Sequence, residues 1–200
     1  MTESRSYHHG NLRESLVNAA REVVEQDGYH AVSLRELAQK LEVSRGAPYR
    51  HFADRDALLK AVAADGFSQL LETHAAVARA QCDDNKRVQL AGRAFLAFTE
   101  EHPRLFMLMF ESGLLSQSTV SDELGIKLLA TYQAVGSTVS TAMPGADEGK
   151  IRLALITMWS TLYGFARLRL ESNLMPYMYS GLSKEQIEDA VISAAFSCLC

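Results

Sequence analysis

Cysteine is scarce in this 200-residue chain, which has only Cys82, Cys198 and Cys200. An odd set at these spacings supports neither a disulfide framework nor a zinc site, and it fits a reduced, cytoplasmic setting. The first ten residues, Met1 to Gly10, hold no apolar stretch of the kind a signal peptide needs. Long hydrophobic runs are missing too. The longest uncharged segment, Leu128 to Ala146, includes Thr131, Gln133, Ser137, Thr138, Ser140, Thr141 and Pro144 and is too polar for lipid. Leu153 to Ala166 is apolar but only 14 residues long, a length that suits a buried helix better than a span. No membrane partner is therefore expected. Positive charge is not in excess: 20 Lys and Arg against 24 Asp and Glu leave a net −4. That balance argues against a protein that coats nucleic acid or an anionic membrane. No Ser-His-Asp set, glycine-rich phosphate loop or metal-ligand spacing occurs, so neither an enzyme nor a cofactor or metal is expected.

Only four prolines are present, at 48, 103, 144 and 176, and no strand-like alternation bounded by hairpin turns is visible. With 48% apolar and 22% charged residues, the chain has the composition of a globular protein. Apolar residues recur at spacings of three and four. Leu12, Leu16, Val17, Ala20, Val23 and Val24 form a helical stripe that stops at Asp27-Gly28. Asn11 with Glu14 suits its start, and Gly28 suits its end. Ser33-Leu34-Arg35-Glu36 predicts a capping box opening a short second helix through Lys40. After the turn Leu41-Glu42-Val43, Ser44 predicts the cap of a third helix reaching about His51. Asp54 predicts the start of a fourth helix, with Asp56 in its first turn, running through Leu58, Leu59, Val62 and Phe67 to about Ala80. Further helices are expected near 86–101, 103–112, 119–142, 147–171 and 183–198. The fold class is all-α: an N-terminal arm over 1–10 containing His8 and His9, a three-helix head over 11–65, and a larger helical bundle over 66–200.

Two short helices joined by a tight turn, Ser33 to His51, form a helix-turn-helix candidate. Leu37, Ala38, Leu41 and Val43 are placed to pack its halves together. The second half presents Arg45, Tyr49, Arg50 and His51, with no acidic residue from Ser44 to Ala53. An arginine in the first turn of such a helix can reach guanine O6 and N7 with both prongs of its guanidinium. Ser33, Tyr49 and His51 suit phosphate oxygens, contacts that hold register without reading sequence. Ser44 completes this candidate set.

The stretch Val43-Ser44-Arg45-Gly46-Ala47-Pro48-Tyr49-Arg50-His51-Phe52, followed by Asp56-Ala57-Leu58-Leu59, resembles the tetracycline-repressor (TetR) family of one-component transcriptional regulators. The resemblance extends from Leu12 to about Phe67. It implies a homodimer whose heads bind double-stranded DNA at a palindromic operator, and a helical body that binds a small-molecule effector. It implies DNA contacts at Arg45, Ala47, Tyr49 and Arg50, others at Arg35 and His51, and a phosphate contact at Arg55. Two positions depart from the family pattern. Glu42 stands in the turn where glycine is common, and Pro48 stands in the recognition helix where leucine is commoner. As the fourth residue of that helix, Pro48 is expected to forfeit one hydrogen bond and no more.

The body is rich in aromatic residues and methionine. Phe95, Phe98, Phe106, Met109, Phe110, Met158, Trp159 and Tyr163 are candidates to line a pocket for a largely apolar effector. Ordinary helical core is the competing reading of each. Trp159-x-x-x-Tyr163-Gly164 resembles a Trp-x-x-x-His-Gly signature of one class of TetR C-terminal domains, with tyrosine replacing histidine. Leu153, Ile156, Trp159, Leu162, Tyr163, Ala166 and Leu170 are expected to be buried. In the last helix the apolar stripe runs Ile187, Val191, Ala195, Cys198 and Leu199. The resemblance implies that the final two helices pair with their mates in a dimer. His74 and His102 are isolated and expected at the surface or as caps. The expected function is a ligand-released repressor. A helical ligand-binding or enzymatic protein with a vestigial head, and a nonspecific DNA binder, are the alternatives.

Overall fold

The computed structural model describes residues 12–197; Asn11, the His8-His9 arm, Cys198, Leu199 and Cys200 lie outside them. Among the described residues eight α-helices follow one another: α1 Leu12–Asp27, α2 Leu34–Lys40, α3 Arg55–Ala78, α4 Asp84–Glu101, α5 Pro103–Glu111, α6 Glu123–Ala142, α7 Glu148–Leu170 and α8 Lys184–Phe196. Among the described residues there is no strand. The all-α reading therefore holds. No helix among them is long and apolar enough to cross a membrane.

Helix starts follow the acids and hydroxyls that precede them. Asp54 accepts from the Ala57 N–H at 2.8 Å, Asp83 from Lys86 at 2.8 Å and Asp147 from Lys150 at 2.9 Å. Ser183 and Gln186 close a reciprocal capping box on α8. Each of these side chains satisfies an amide that has no partner inside the helix. Asp122 does more, accepting from Thr119 and Gly125 at 2.8 Å each. The chain 119–122 is thus a cap loop, and α6 begins at Glu123 rather than at 119.

The chain divides into two compact units. The first takes residues up to Gly66 together with Arg104–Ile126. Its core is built from Leu16, Ala20 and Val24 of α1, Leu37 and Ala38 of α2, Phe52, Leu58 and Val62, with Leu105, Phe106, Leu108 and Met109 of α5. Gly66 lets α5 approach, since a Cβ there would lie 2.5 Å from the Met109 sulfur. A head ending at residue 65 thus leaves out α5, a neighbour distant in sequence.

The second unit takes Phe67–Pro103 and the chain from Lys127 onward. Here α4, α7 and α8 pack on one another, burying Val88, Leu96, Phe98, Ala154, Leu155, Met158, Leu162, Ala166, Ile192, Ala195 and Phe196. Arg169 ties the three helices together. It pairs with Glu100 at 2.7 Å and Glu188 at 2.8 Å, and it donates to the Leu96 carbonyl and to Thr99 Oγ1. The buried face of α7 differs from expectation: Leu153 and Ile156 are 66% and 62% exposed and Trp159 is 39% exposed. This helix is apolar almost all round, so periodicity alone could not say which side faces inward. His74 also departs from expectation. It is buried, with Nε2 at 3.1 Å from the Ala134 carbonyl oxygen and 2.9 Å from Thr138 Oγ1. Burial lowers its pKa below the ordinary imidazole value. His102 closes the C-terminus of α4, as a cap should.

Candidate nucleic-acid interface

The turn that joins α2 to the following segment is closed by two backbone hydrogen bonds. Val43 N–H donates to the Ala38 carbonyl at 2.9 Å and Glu42 N–H to Gln39 at 3.1 Å. This is a Schellman closure, and it needs the inner of the two donors to be left-handed. Glu42 is that donor, with φ of +54°. The position where glycine is common therefore keeps the glycine conformation without the glycine, at a cost of about 1 kcal/mol.

Beyond the turn the structure corrects the sequence expectation. Residues 44–51 do not form an α-helix. Ala47 N–H bonds to the Ser44 carbonyl at 2.9 Å, and Pro48–Arg50 is a 3-10 turn in which His51 N–H bonds back to Pro48 at 3.0 Å. Proline explains this. It has no N–H to offer Ser44, and its ring crowds the carbonyl four residues back, so Ser44 is satisfied three residues on instead. Pro48 costs more than one bond: it tightens the whole segment. It is also buried, close in sequence to the core residue Phe52, over whose ring the Arg13 guanidinium sits at 5.4 Å.

With Pro48 and Phe52 inward, the polar residues between and before them face solvent. Ser44, Arg45, Tyr49, Arg50 and His51 are exposed, Tyr49 at 56%, and Ala47 is half-buried. Arg35 on α2 is exposed, and Ser33 before it is half-buried. The Ser33 side chain does not cap α2, contrary to the capping box read from sequence. Its hydroxyl is left for another partner.

The charge arrangement is the most telling feature. In the first unit, Arg13 pairs with Glu123, Arg21 with Asp65 and Lys40 with Glu22. Lys60 donates to the Gln117 carbonyl, Arg104 to that of Glu25, and Arg55 to those of Val32 and Tyr29. Among the described residues of this unit, three cationic side chains remain with neither an ion pair nor a hydrogen bond: Arg35, Arg45 and Arg50. All three lie on the helix-turn-helix.

The model of bacterial regulatory proteins of the tetR family matches residues 16–62, and that of the tetracyclin repressor-like C-terminal domain matches residues 88–191. The chain belongs to the tetR family. It is similar to the HTH-type transcriptional activator FasR of Mycolicibacterium smegmatis, at 29% identity over 80% of this chain and 73% of that one. The HTH-type transcriptional repressor AcnR of Corynebacterium efficiens is 32% identical over 32% of this chain and 34% of its own. A solved structure of a protein of unknown function from Rhodococcus sp. RHA1 superposes with a TM-score of 0.77 at 26% identity, covering 98% of this chain and 97% of the other. As a tetR-family member the chain is a DNA-binding transcriptional regulator, with an N-terminal helix-turn-helix head and a helical C-terminal domain.

The residues expected to line an effector pocket fall into two groups. Phe106, Met109 and Phe110 belong to α5 in the first unit, where Phe106 and Met109 are fully buried and the rings of Phe106 and Phe110 lie 5.0 Å apart. Phe95, Phe98, Met158, Trp159 and Tyr163 belong to the second. There Phe95 meets Trp159 edge-on at 5.4 Å, and Trp159 stacks on Tyr163 at 5.3 Å. Phe98 and Met158 are buried. Among the described residues, no three His, Cys, Asp or Glu side chains converge as a metal site.

Proposed function

We propose that this tetR-family regulator is a cytoplasmic homodimer that represses transcription from a palindromic operator and is released by a largely apolar small molecule. Three unpaired arginines on a helix-turn-helix, where the other described cations of the unit are engaged, carry the DNA half of this reading. A guanidinium held without a carboxylate partner keeps its full charge and all five donors for an external anion. Arg45 is assigned to a base edge, and Ser33, Arg35, Ser44, Ala47, Tyr49, Arg50 and His51 to the backbone and groove wall.

The exposed apolar face of α7 supports the dimer. Leu153 and Ile156 share it with Thr157 and Ser160, and on α8 the small residues Ala190, Ser193 and Ala194 are exposed. Large apolar side chains beside small ones suit close helix packing against a second copy, which two-fold symmetry would repeat. For the effector, the Phe95-Trp159-Tyr163 ladder with Met158 offers an apolar, polarisable wall and one phenol. FasR is named an activator and AcnR a repressor, so the sign of control is open to a direct reporter assay.

The test is selection of bound duplexes from a random library by the purified protein. Enrichment of one palindromic sequence is expected, with half-sites spaced by about one helical turn or somewhat more. Recovery of unenriched DNA would contradict the reading.

A further inference from the structure

We infer that Arg55 is a positioning residue for the DNA-reading head and not one of its phosphate contacts. This rests on the DNA-binding reading above and assigns Arg55 differently from the family resemblance. The first residue of α3, Arg55 turns its side chain back toward the segment before α2. Nε donates to the Val32 carbonyl at 3.0 Å, Nη2 donates to the Tyr29 carbonyl, and Nη1 lies 3.4 Å from Asp56 Oδ1. All three nitrogens of the fork thus face acceptors of the same chain.

Both carbonyls matter to α2. The Tyr29–Ala31 turn is a single 3-10 turn, and its weak closing bond, from Val32 N–H to Tyr29, is 3.4 Å long. Val32 is buried and extended, and it hands the chain directly to Ser33 and then to Leu34, the first residue of α2. Part-buried carbonyls at the end of so short a turn gain from a donor supplied elsewhere in the chain. A planar guanidinium can span two carbonyls three residues apart, which an ammonium on a flexible stem cannot do with the same geometry. Arg55 therefore links the start of α3 to the start of α2, and so sets where Ser33 and Arg35 stand relative to Arg45 and Arg50. The carboxylate of Asp56 beside Nη1 opposes the approach of a phosphate to that face.

Lysine separates the two roles. A phosphate contact tolerates Arg55→Lys, because the charge remains; a two-carbonyl brace does not. The probes are a duplex enriched by the wild-type protein from a random library and a scrambled duplex of equal length, titrated over a range of salt concentrations well below the melting temperature of each variant. For Arg55→Lys and Arg55→Gln alike, affinity for the enriched duplex is expected to fall about tenfold. Affinity for the scrambled duplex should change much less, and the slope of log K against log salt should stay that of wild type. Near-wild-type binding by Arg55→Lys, with the Arg55→Gln slope shallower by about 0.9 for each phosphate no longer neutralised, would overturn the inference. Equal losses on both duplexes would overturn it as well, since they mark general destabilisation of the head. If the wild-type protein enriches no duplex, it is the DNA-binding reading that fails, a result visible before any Arg55 variant is made.

Discussion

Arg45 and Tyr49 stand four residues apart on the same exposed segment, and the proposed DNA contacts give them different work. A guanidinium that reads a guanine discriminates among sequences, while a phenol that meets a phosphate does not. Arg45→Ala should cost about 1–3 kcal/mol on the operator and relax sequence preference at one position, whereas Tyr49→Phe should weaken all duplexes alike. Competition binding against single-base operator variants measures both. His74 carries a different prediction. Burial lowers its pKa in the folded protein, so the unfolded chain binds the proton more readily. Its contribution to stability is complete above the ordinary imidazole value of about 6.5 and is lost as pH falls through and below it. Urea midpoints of wild type and His74→Gln, taken from pH 7.5 to 5.5, should show the wild type losing ground more steeply. Parallel midpoints would show that the ring titrates the same way in both states. Nothing in the sequence foretold this burial, because the partners of His74, Ala134 and Thr138, lie some sixty residues on in another helix.

The helices themselves were largely legible in the sequence, since each depends on near neighbours. Asp54, Asp83, Asp147 and Ser183 sit where a cap must sit, and the Gly28 stop has the positive φ its type permits. Legibility ended where a local rule met a competing one. Ser44 looks like a cap, but Pro48 four residues later withholds the amide the helix would use, and a 3-10 turn results. Ser33 is also a cap by type, yet its side chain makes no capping hydrogen bond. The apolar stripe of α7 could be drawn on more than one face, and packing against α4 and α8 chose Leu155, Met158 and Leu162 over Leu153 and Ile156. At this scale the turn after α2 offers a test. Glu42 holds a left-handed conformation that glycine adopts freely, so Glu42→Gly should stabilise the protein by up to about 0.5 kcal/mol after the extra entropy of the unfolded glycine is set against the relieved strain. Chemical denaturation measures it; a lower stability would mean the side chain contributes something the backbone strain does not explain.

For the whole molecule, net charge is a poor guide to partner. Residues 1–65 carry 9 basic and 10 acidic side chains, so even the head is not basic on average. What distinguishes it is pairing: among the described residues of its unit, carboxylates and carbonyls occupy the other cations and leave Arg35, Arg45 and Arg50 unoccupied. Such a surface is expected to make few phosphate contacts, favouring a selective reader over a coating protein, with binding that should weaken markedly with salt. The assembly is tested at the exposed face of α7, where Leu153→Glu with Ile156→Glu places two charges on the proposed interface. Sedimentation should show wild-type dimers become monomers, with operator affinity falling because two half-sites no longer engage together; an unchanged dimer would move the interface elsewhere. An effector that releases the operator must in turn bind more weakly when the operator is present, by the same factor.

Arg35, Arg45 and Arg50 are the side chains proposed to hold the DNA. The direct measurement compares operator binding by Arg35→Ala/Arg45→Ala/Arg50→Ala with binding by Arg93→Ala/Lys150→Ala/Arg152→Ala. The second variant removes the same charge from exposed pairs with Asp189, Asp147 and Glu148, pairs that contribute little to stability. The first variant should fold normally and lose at least about a hundredfold in operator affinity, as removing several charge-assisted hydrogen bonds requires, while the second binds as wild type. Equal affinities, or equal losses in both variants, would contradict the account.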